Sequence, residues 1–208
     1  MADKKISIAV IRRLPKYYRY LEELEAQGVK GVSSQELSEL TGFTASQIRQ
    51  DFNNFGGFGQ QGFGYNVKSL KQAISDILGH EQVKNAVMVG AGNLGKTIAK
   101  YSGFKDCGLN LIGIFDRNPN NIGQELDGIQ IQDVKKIEGF LEKKKVDIGI
   151  IVVDKESAQE ICDIFVKHGL KGIWNFAPID LDVAEDIYVE NVSFTESLLV
   201  LSYFLNNK

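Results

Sequence analysis

Six consecutive residues, Gly90-Ala91-Gly92-Asn93-Leu94-Gly95, have the types and spacing to hold a phosphate. An apolar run, Val87-Met88-Val89, leads into them, and Leu94, Ile98 and Tyr101 follow at helical spacing. A second apolar run, Leu109 to Phe115, ends in Asp116, about 20 residues beyond the last glycine, which is the order of a dinucleotide-binding βαβ unit. In such a unit the glycines permit a tight turn, a close approach of backbone to pyrophosphate, and close packing of helix on strand. The helix start offers free N–H groups to the phosphates, and an acid at the tip of the second strand binds a ribose 2′-hydroxyl. The same letters satisfy a rival pattern. Gly90-x-x-x-x-Gly95-Lys96-Thr97 matches the phosphate loop of nucleoside triphosphatases, with Lys96 reaching terminal phosphates, Thr97 holding magnesium, and Asp116 or Asp154 as the metal-side acid. Gly92 and the early acid at Asp116 favour the dinucleotide. A glycine-rich turn with no ligand is the bland alternative.

Other chemistries find little support. The two histidines, His80 and His168, lie far from any metal-ligand spacing. The two cysteines, Cys107 and Cys162, form no C-x-x-C pair, and Cys162 falls on a helical face as packing. No apolar stretch is long enough to span a membrane, and no signal-type run opens the chain, so a cytoplasmic address is expected. The 208 residues suffice for two domains with real cores. The overall charge of −3 hides an asymmetry: residues 1–78 hold ten Lys/Arg against eight Asp/Glu, and residues 79–208 fourteen against nineteen. Lys4, Lys5, Arg12, Arg13, Lys16 and Arg19 crowd a segment whose sole acid is Asp3, a basic patch on an acidic protein.

The elements that must position these groups separate into two kinds. Residues 1–78 read as helical. A long helix over 5–27 is interrupted by Pro15, which predicts a kink or a helix that begins near it. Ser33-x-x-Glu36 and Thr44-x-x-Gln47 are capping boxes opening two short helices, 35–40 and 45–54, a helix-turn-helix. The second is the expected recognition helix, presenting Ser46, Gln47, Arg49, Gln50 and Asn53 to DNA. Glycines alternating with aromatics from Phe55 to Tyr65 suit a twisted hairpin, a wing that brings Gly59 and Gln61 to the DNA backbone. A helix over 67–78 closes this part, and 79–82 is the expected linker.

Residues 79–192 alternate strand and helix: strand 85–89, helix 93–102, strand 109–115, weak strand 129–132, helix 133–144, strand 146–153, helix 155–168, strands 172–176 and 187–190. That order predicts an α/β domain, a mostly parallel Rossmann-type sheet covered on both faces. Val152 in the 146–153 strand, Asn175 at the end of the 172–176 strand and Pro178 just past it fall at the carboxyl edge where such sheets bind ligands. Ser193-x-x-Glu196 caps a last helix, in a terminal segment 193–208, that is apolar on every side from Leu198 to Leu205 except at Ser202. Such a helix must be covered all round, which predicts burial in a partner subunit, exchanged between protomers of a homodimer.

With these segments in this order, the chain resembles the Rex family of bacterial redox-sensing repressors over nearly its whole length. Ala9-Val10-Ile11-Arg12-Arg13-Leu14, Leu21-Glu22-Glu23-Leu24, Ser33-Ser34-x-x-Leu37, Gln47-x-Arg49-x-Asp51, Phe55-Gly56 and Gly62-x-Gly64-Tyr65 match its DNA-binding half. Gly90-x-Gly92-x-x-Gly95, Phe115-Asp116, Gly172-Ile173-x-Asn175-Phe176-Ala177-Pro178 and Val189-Glu190-Asn191-Val192 match the other half. The resemblance implies a winged helix followed by a Rossmann domain, a homodimer with exchanged last helices, NAD(H) as cofactor, and a palindromic double-stranded operator at fermentation or respiration genes. It implies that NADH closes the dimer and releases DNA, whereas NAD⁺ is compatible with repression. By position, Arg13 is implied as a minor-groove or backbone contact, Lys16 as a candidate phosphate contact, and Arg49 and Gln50 as recognition contacts. Arg19 and Tyr101 belong to a polar network coupling nicotinamide to the DNA domain, and Phe194 is the expected apolar wall for the nicotinamide. Two departures stand out: Ser193 replaces an aspartate found in some members, and the wing is uncharged at Gln60 and Gln61. A small NAD-dependent dehydrogenase is the rival from another class. It lacks a second, substrate-binding domain and a placed general base; Tyr101 and Lys105 are merely an i,i+4 pair.

Overall fold

The computed structural model describes residues 6–56, 58–60 and 64–207. They fall into two compact units, divided between Gln82 and Val83. Residues 79–82 group with the first unit and 193–207 with the second.

The first unit opens with α1 (Ile8–Ile11) and α2 (Leu14–Ala26). Pro15 lies at the start of α2, where its missing N–H costs nothing; the predicted long helix is therefore two helices. β1 (Gly31–Val32) leads to α3 (Ser34–Thr41) and α4 (Ala45–Asn53). Both halves of the Ser33/Glu36 capping box are made, and the Thr44 hydroxyl accepts from the Gln47 amide. The hairpin pairs β2 (Gly59–Gln60) with β3 (Gly64–Asn66) antiparallel, and β3 also pairs with β1. α5 (Val67–Leu78) follows. Tyr17, Leu21, Leu37, Ile48, Phe52, Val67 and Ile74 form a single core, with the rings of Tyr17 and Tyr65 edge-on to Phe52 at 5.1 Å each.

The second unit holds β4 (Lys84–Val89), α6 (Asn93–Ala99), α7 (Gly103–Asp106), β5 (Leu109–Asp116), β6 (Glu125–Leu126) and β7 (Ile129–Asp133). A 3-10 turn (Val134–Lys136) precedes α8 (Ile137–Leu141), then β8 (Ile148–Ile151), α9 (Lys155–Lys167), β9 (Gly172–Asn175), β10 (Tyr188–Asn191) and α10 (Phe194–Asn206). Strand order is β10-β9-β8-β4-β5-β7-β6, parallel except for the β6–β7 hairpin. The chain steps outward one way from β4 and then returns to β4's other side. The switch point therefore lies between β4 and β8, where ligands bind in such sheets. Alternate residues face opposite layers: Val87 and Val89 pack with α8 and α9, Ala86 and Met88 with the layer of α6. Gly149 leaves room for the Phe165 ring of α9, which a Cβ there would meet at 2.3 Å.

α10 buries no residue. Leu198, Leu199, Val200, Phe204 and Leu205 are each 59–63% exposed within one protomer. No helix among the described residues is long and apolar enough to cross a membrane.

Candidate functional site

At the end of β4 the chain turns sharply, with Gly90 at φ +106°. A Cβ on Gly90 would lie 2.2 Å from the Val152 carbonyl oxygen, and one on Gly95 would lie 2.0 Å from the Gly90 carbonyl oxygen. The first and third glycines are demanded by the protein's own packing. Gly92 is different: φ is −69° and nothing stands within 4 Å of its Cβ position. The fold alone does not require glycine there.

Asp116 closes the turn from the tip of β5. Its carboxylate is almost wholly buried and accepts from the amides of Ala91 at 2.6 Å and Asn118 at 2.7 Å, and from the Asn121 side chain at 3.2 Å. Beside it opens a cavity of about 450 Å³ lined by Val89, Gly90, Gly92, Asp116 and Val152 together with Arg117, Lys135 and Asp154. Ala91 is buried in the turn, whereas Asn93 and Leu94, the first residues of α6, are exposed to solvent. Lys96 turns elsewhere: its ammonium donates to the side-chain oxygens of Asn121 at 3.2 Å and Gln124 at 3.3 Å. The Thr97 hydroxyl donates to the Asn93 carbonyl. Neither is poised over the turn as a triphosphatase loop requires.

Other expected cofactor residues stand apart from this cavity. The Asn175 side chain is fully buried and internally paired: its amide donates to the carbonyls of Ala177 and Ile179 and to Asn191 Oδ1, and its oxygen accepts from the Ala177 amide. It shapes the chain beyond β9. Pro178 is exposed just past it. Tyr101 lies beyond the end of α6, which stops at Ala99; its ring is 61% exposed and edge-on to Phe104 at 4.8 Å. Phe194 is 63% exposed at the first position of α10, and the Ser193 hydroxyl caps that helix by accepting from the Glu196 amide. Lys135 was not singled out as a ligand group by the sequence; its only signal was proximity to a strand's carboxyl end.

In the first unit, Ile48, Asp51 and Phe52 bury one face of α4. Ser46, Arg49, Gln50 and Asn53 stand exposed on the other, at helical spacing. Gln47 is half-buried, and Arg49 reaches the Ser34 hydroxyl at 2.9 Å. Lys16 holds its ammonium 5.0 Å above the Phe43 ring. Gly59 lies in β2, and Gln61 lies outside the described residues. Arg13 has an internal partner that the sequence did not disclose. Its guanidinium grips Asp51 of α4 through two bonds of 2.7 Å, which fixes the recognition helix against α2. Arg49→Ala is expected to cost about 1–3 kcal/mol in DNA affinity and to relax base preference at one position; titrations against single-base variants of a selected site measure both. Undiminished discrimination at every position would remove Arg49 from the reading surface.

A winged helix with an exposed polar helix face, joined to a Rossmann unit with a glycine cradle, defines a nucleotide-responsive DNA-binding protein. Residues 5–53 match the family described as putative DNA-binding protein N-terminus, and residues 81–179 match the CoA binding domain family. The redox-sensing transcriptional repressor Rex of Clostridium novyi (strain NT) is 55% identical over 203 residues, covering 98% of this chain and 97% of that protein. Its counterpart in Clostridium acetobutylicum is 56% identical over 202 residues, covering 97% and 94%. The crystal structure of RSP, a Rex-family repressor, in complex with β-NAD⁺ and operator DNA superposes with a TM-score of 0.92 at 52% identity, covering 97% of this chain and 93% of that one. The RSP complex with β-NADH gives 0.90 at 50%, covering 98% and 96%. The chain belongs to the Rex family of redox-sensing transcriptional repressors, which places it among regulators rather than enzymes.

Proposed function

We propose that this protein represses transcription from palindromic operators as a cytoplasmic homodimer and leaves them when NADH occupies the glycine cradle. The observation that carries the reading is the conjunction, in one chain, of an exposed recognition face on α4 and a cradle whose middle glycine has nothing but open space beside it. Residues 6–82 read DNA. Residues 83–192 hold NAD(H), with pyrophosphate over Gly90-Ala91-Gly92 and the amides of Asn93, Leu94 and Gly95, and the ribose toward Asp116. α10 supplies the dimer contact, because its apolar surface needs cover that one protomer does not give. Lys96, held by Asn121 and Gln124, speaks against a triphosphate.

The two cofactors differ only at the nicotinamide, in charge and ring shape. A ligand shifts a conformational equilibrium only by its differential affinity for the two states. The redox signal therefore arises where that ring sits. Phe194, Tyr101 and Arg19 are assigned to that coupling, Phe194 as a wall favouring the neutral ring. Arg13 is assigned to holding α4, with any DNA contact secondary. Targets at fermentation or respiration genes fit such a sensor. Titrating each cofactor into the protein–operator complex tests the reading. NADH is expected to release DNA at concentrations where NAD⁺ does so far less. Equal release by both would mean a sensor of nucleotide occupancy, and release by ATP–Mg²⁺ alone would restore the triphosphatase.

A further inference from the structure

The cavity beside Asp116 is crossed by a bridge that the cofactor reading leaves unused. Arg117 extends from the end of β5 to the start of α9, donating to Asp154 Oδ2 at 2.5 Å and to the Ser157 hydroxyl at 2.9 Å. Asp154 is itself fixed, because its other oxygen caps α9 by accepting from the Ser157 amide at 3.1 Å. The cap and the guanidinium hold the Asp154 carboxyl below its ordinary range, so it stays charged. An arginine next to the acid of the second strand is the usual receptor for the 2′-phosphate of a phosphorylated dinucleotide. Here both of its terminal nitrogens are already engaged. The acids lining the cavity (Asp116, Glu138, Asp154 and Glu160) outnumber its cations, Arg117 and Lys135.

We infer that Asp154 is a specificity-determining residue: by holding Arg117 across the cavity it withholds the cation beside Asp116 that would receive a 2′-phosphate, and so excludes NADP(H). This rests on the cofactor reading above. Discrimination then has two parts. Asp116 repels the phosphate directly, and Asp154 removes what would compensate the repulsion. Asp154 acts through Arg117 and need not touch the cofactor.

The test is calorimetric titration of NADH and NADPH into the full chain, Asp154→Asn, and the double variant Asp154→Asn/Arg117→Ala. Asparagine caps helices as well as aspartate does, so α9 keeps its start. Asp154→Asn is expected to narrow the affinity gap between NADH and NADPH by about tenfold, the worth of one charge-assisted hydrogen bond. The double variant is expected to restore the gap, and added salt to diminish the gain. An unchanged gap in Asp154→Asn, or a gain that survives loss of Arg117, overturns the inference. So does a folded Asp154→Asn that binds neither cofactor, because Asp154 would then be a direct ligand. If the unmodified chain fails to bind NADH, the cofactor reading itself falls.

Discussion

Replacing Asp51 by alanine is expected to lower the stability of the DNA-binding unit by about 3 kcal/mol and to abolish operator binding. The Asp51 side chain is 2% exposed and the Arg13 side chain 17%. Removing the acid strands a guanidinium that has left most of its water. It also strands the Tyr17 hydroxyl, which donates to the same carboxylate at 2.8 Å from a fully buried ring. Burial first, and the hydrogen bond to Asp51 second, hold the Tyr17 phenol above its ordinary range, so it remains a proton donor throughout the working pH range. An unpaired buried donor costs about 1–3 kcal/mol by itself. Against a total stability of about 5–15 kcal/mol for a small domain, the loss is a large share. Urea denaturation followed by circular dichroism measures it. Asp51→Asn keeps an acceptor for Tyr17 but loses the ion pair, and should fall between the two. Parental stability in Asp51→Ala would mean that the Arg13 grip is idle.

The second large effect separates two glycines of one motif. Gly95→Ala places a methyl 2.0 Å from the Gly90 carbonyl oxygen, and the obstacle is backbone that no rotamer change can move. Overpacking of this kind costs about 1–3 kcal/mol or more, and it forces α6 away from the turn. The variant should lose thermal stability and NADH binding together. Gly92→Ala meets nothing and has an ordinary φ. It should keep its melting temperature and still lose NADH binding, because the methyl occupies the space a pyrophosphate needs. Calorimetry with paired melting curves distinguishes them. Equal NADH affinity in Gly92→Ala and the parent would place the phosphates elsewhere.

What the sequence disclosed and what it hid follow from the range of the interactions. Ser33 with Glu36, and Ser193 with Glu196, lie three residues apart, so the caps and the helix starts were legible as letters. The glycine turn and Asp116 were legible because each does its work within one βαβ unit. β1 and β6 were not: each is two residues long and exists only through its partner, β1 against Asn66 and Tyr65, β6 against Gln130 and Ile129. The helix expected over 133–144 became a 3-10 turn and the short α8, with the Asp133 side chain capping the turn. The helix expected to reach 102 ends at Ala99, and α7 begins at Gly103, where a side chain would meet the Tyr101 ring. Arg13 sat inside a run of basic residues and read as a DNA contact, and its internal partner, 38 residues away, was not visible as letters. Asn175 read as a ligand group because it ends a strand. Its four internal hydrogen bonds, two of them to residues beyond the adjoining turn, were visible only in three dimensions.

The last helix has no inward face within one chain, so if a second copy covers it, as proposed above, stability depends on how many copies surround each chain. Whatever covers Leu198, Leu199 and Phe204 contributes by mass action, so the melting temperature should climb as the protein is concentrated. Abundance then becomes a second input beside the cofactor. Dilution would empty the operator by dissolving its reader, whatever the redox state.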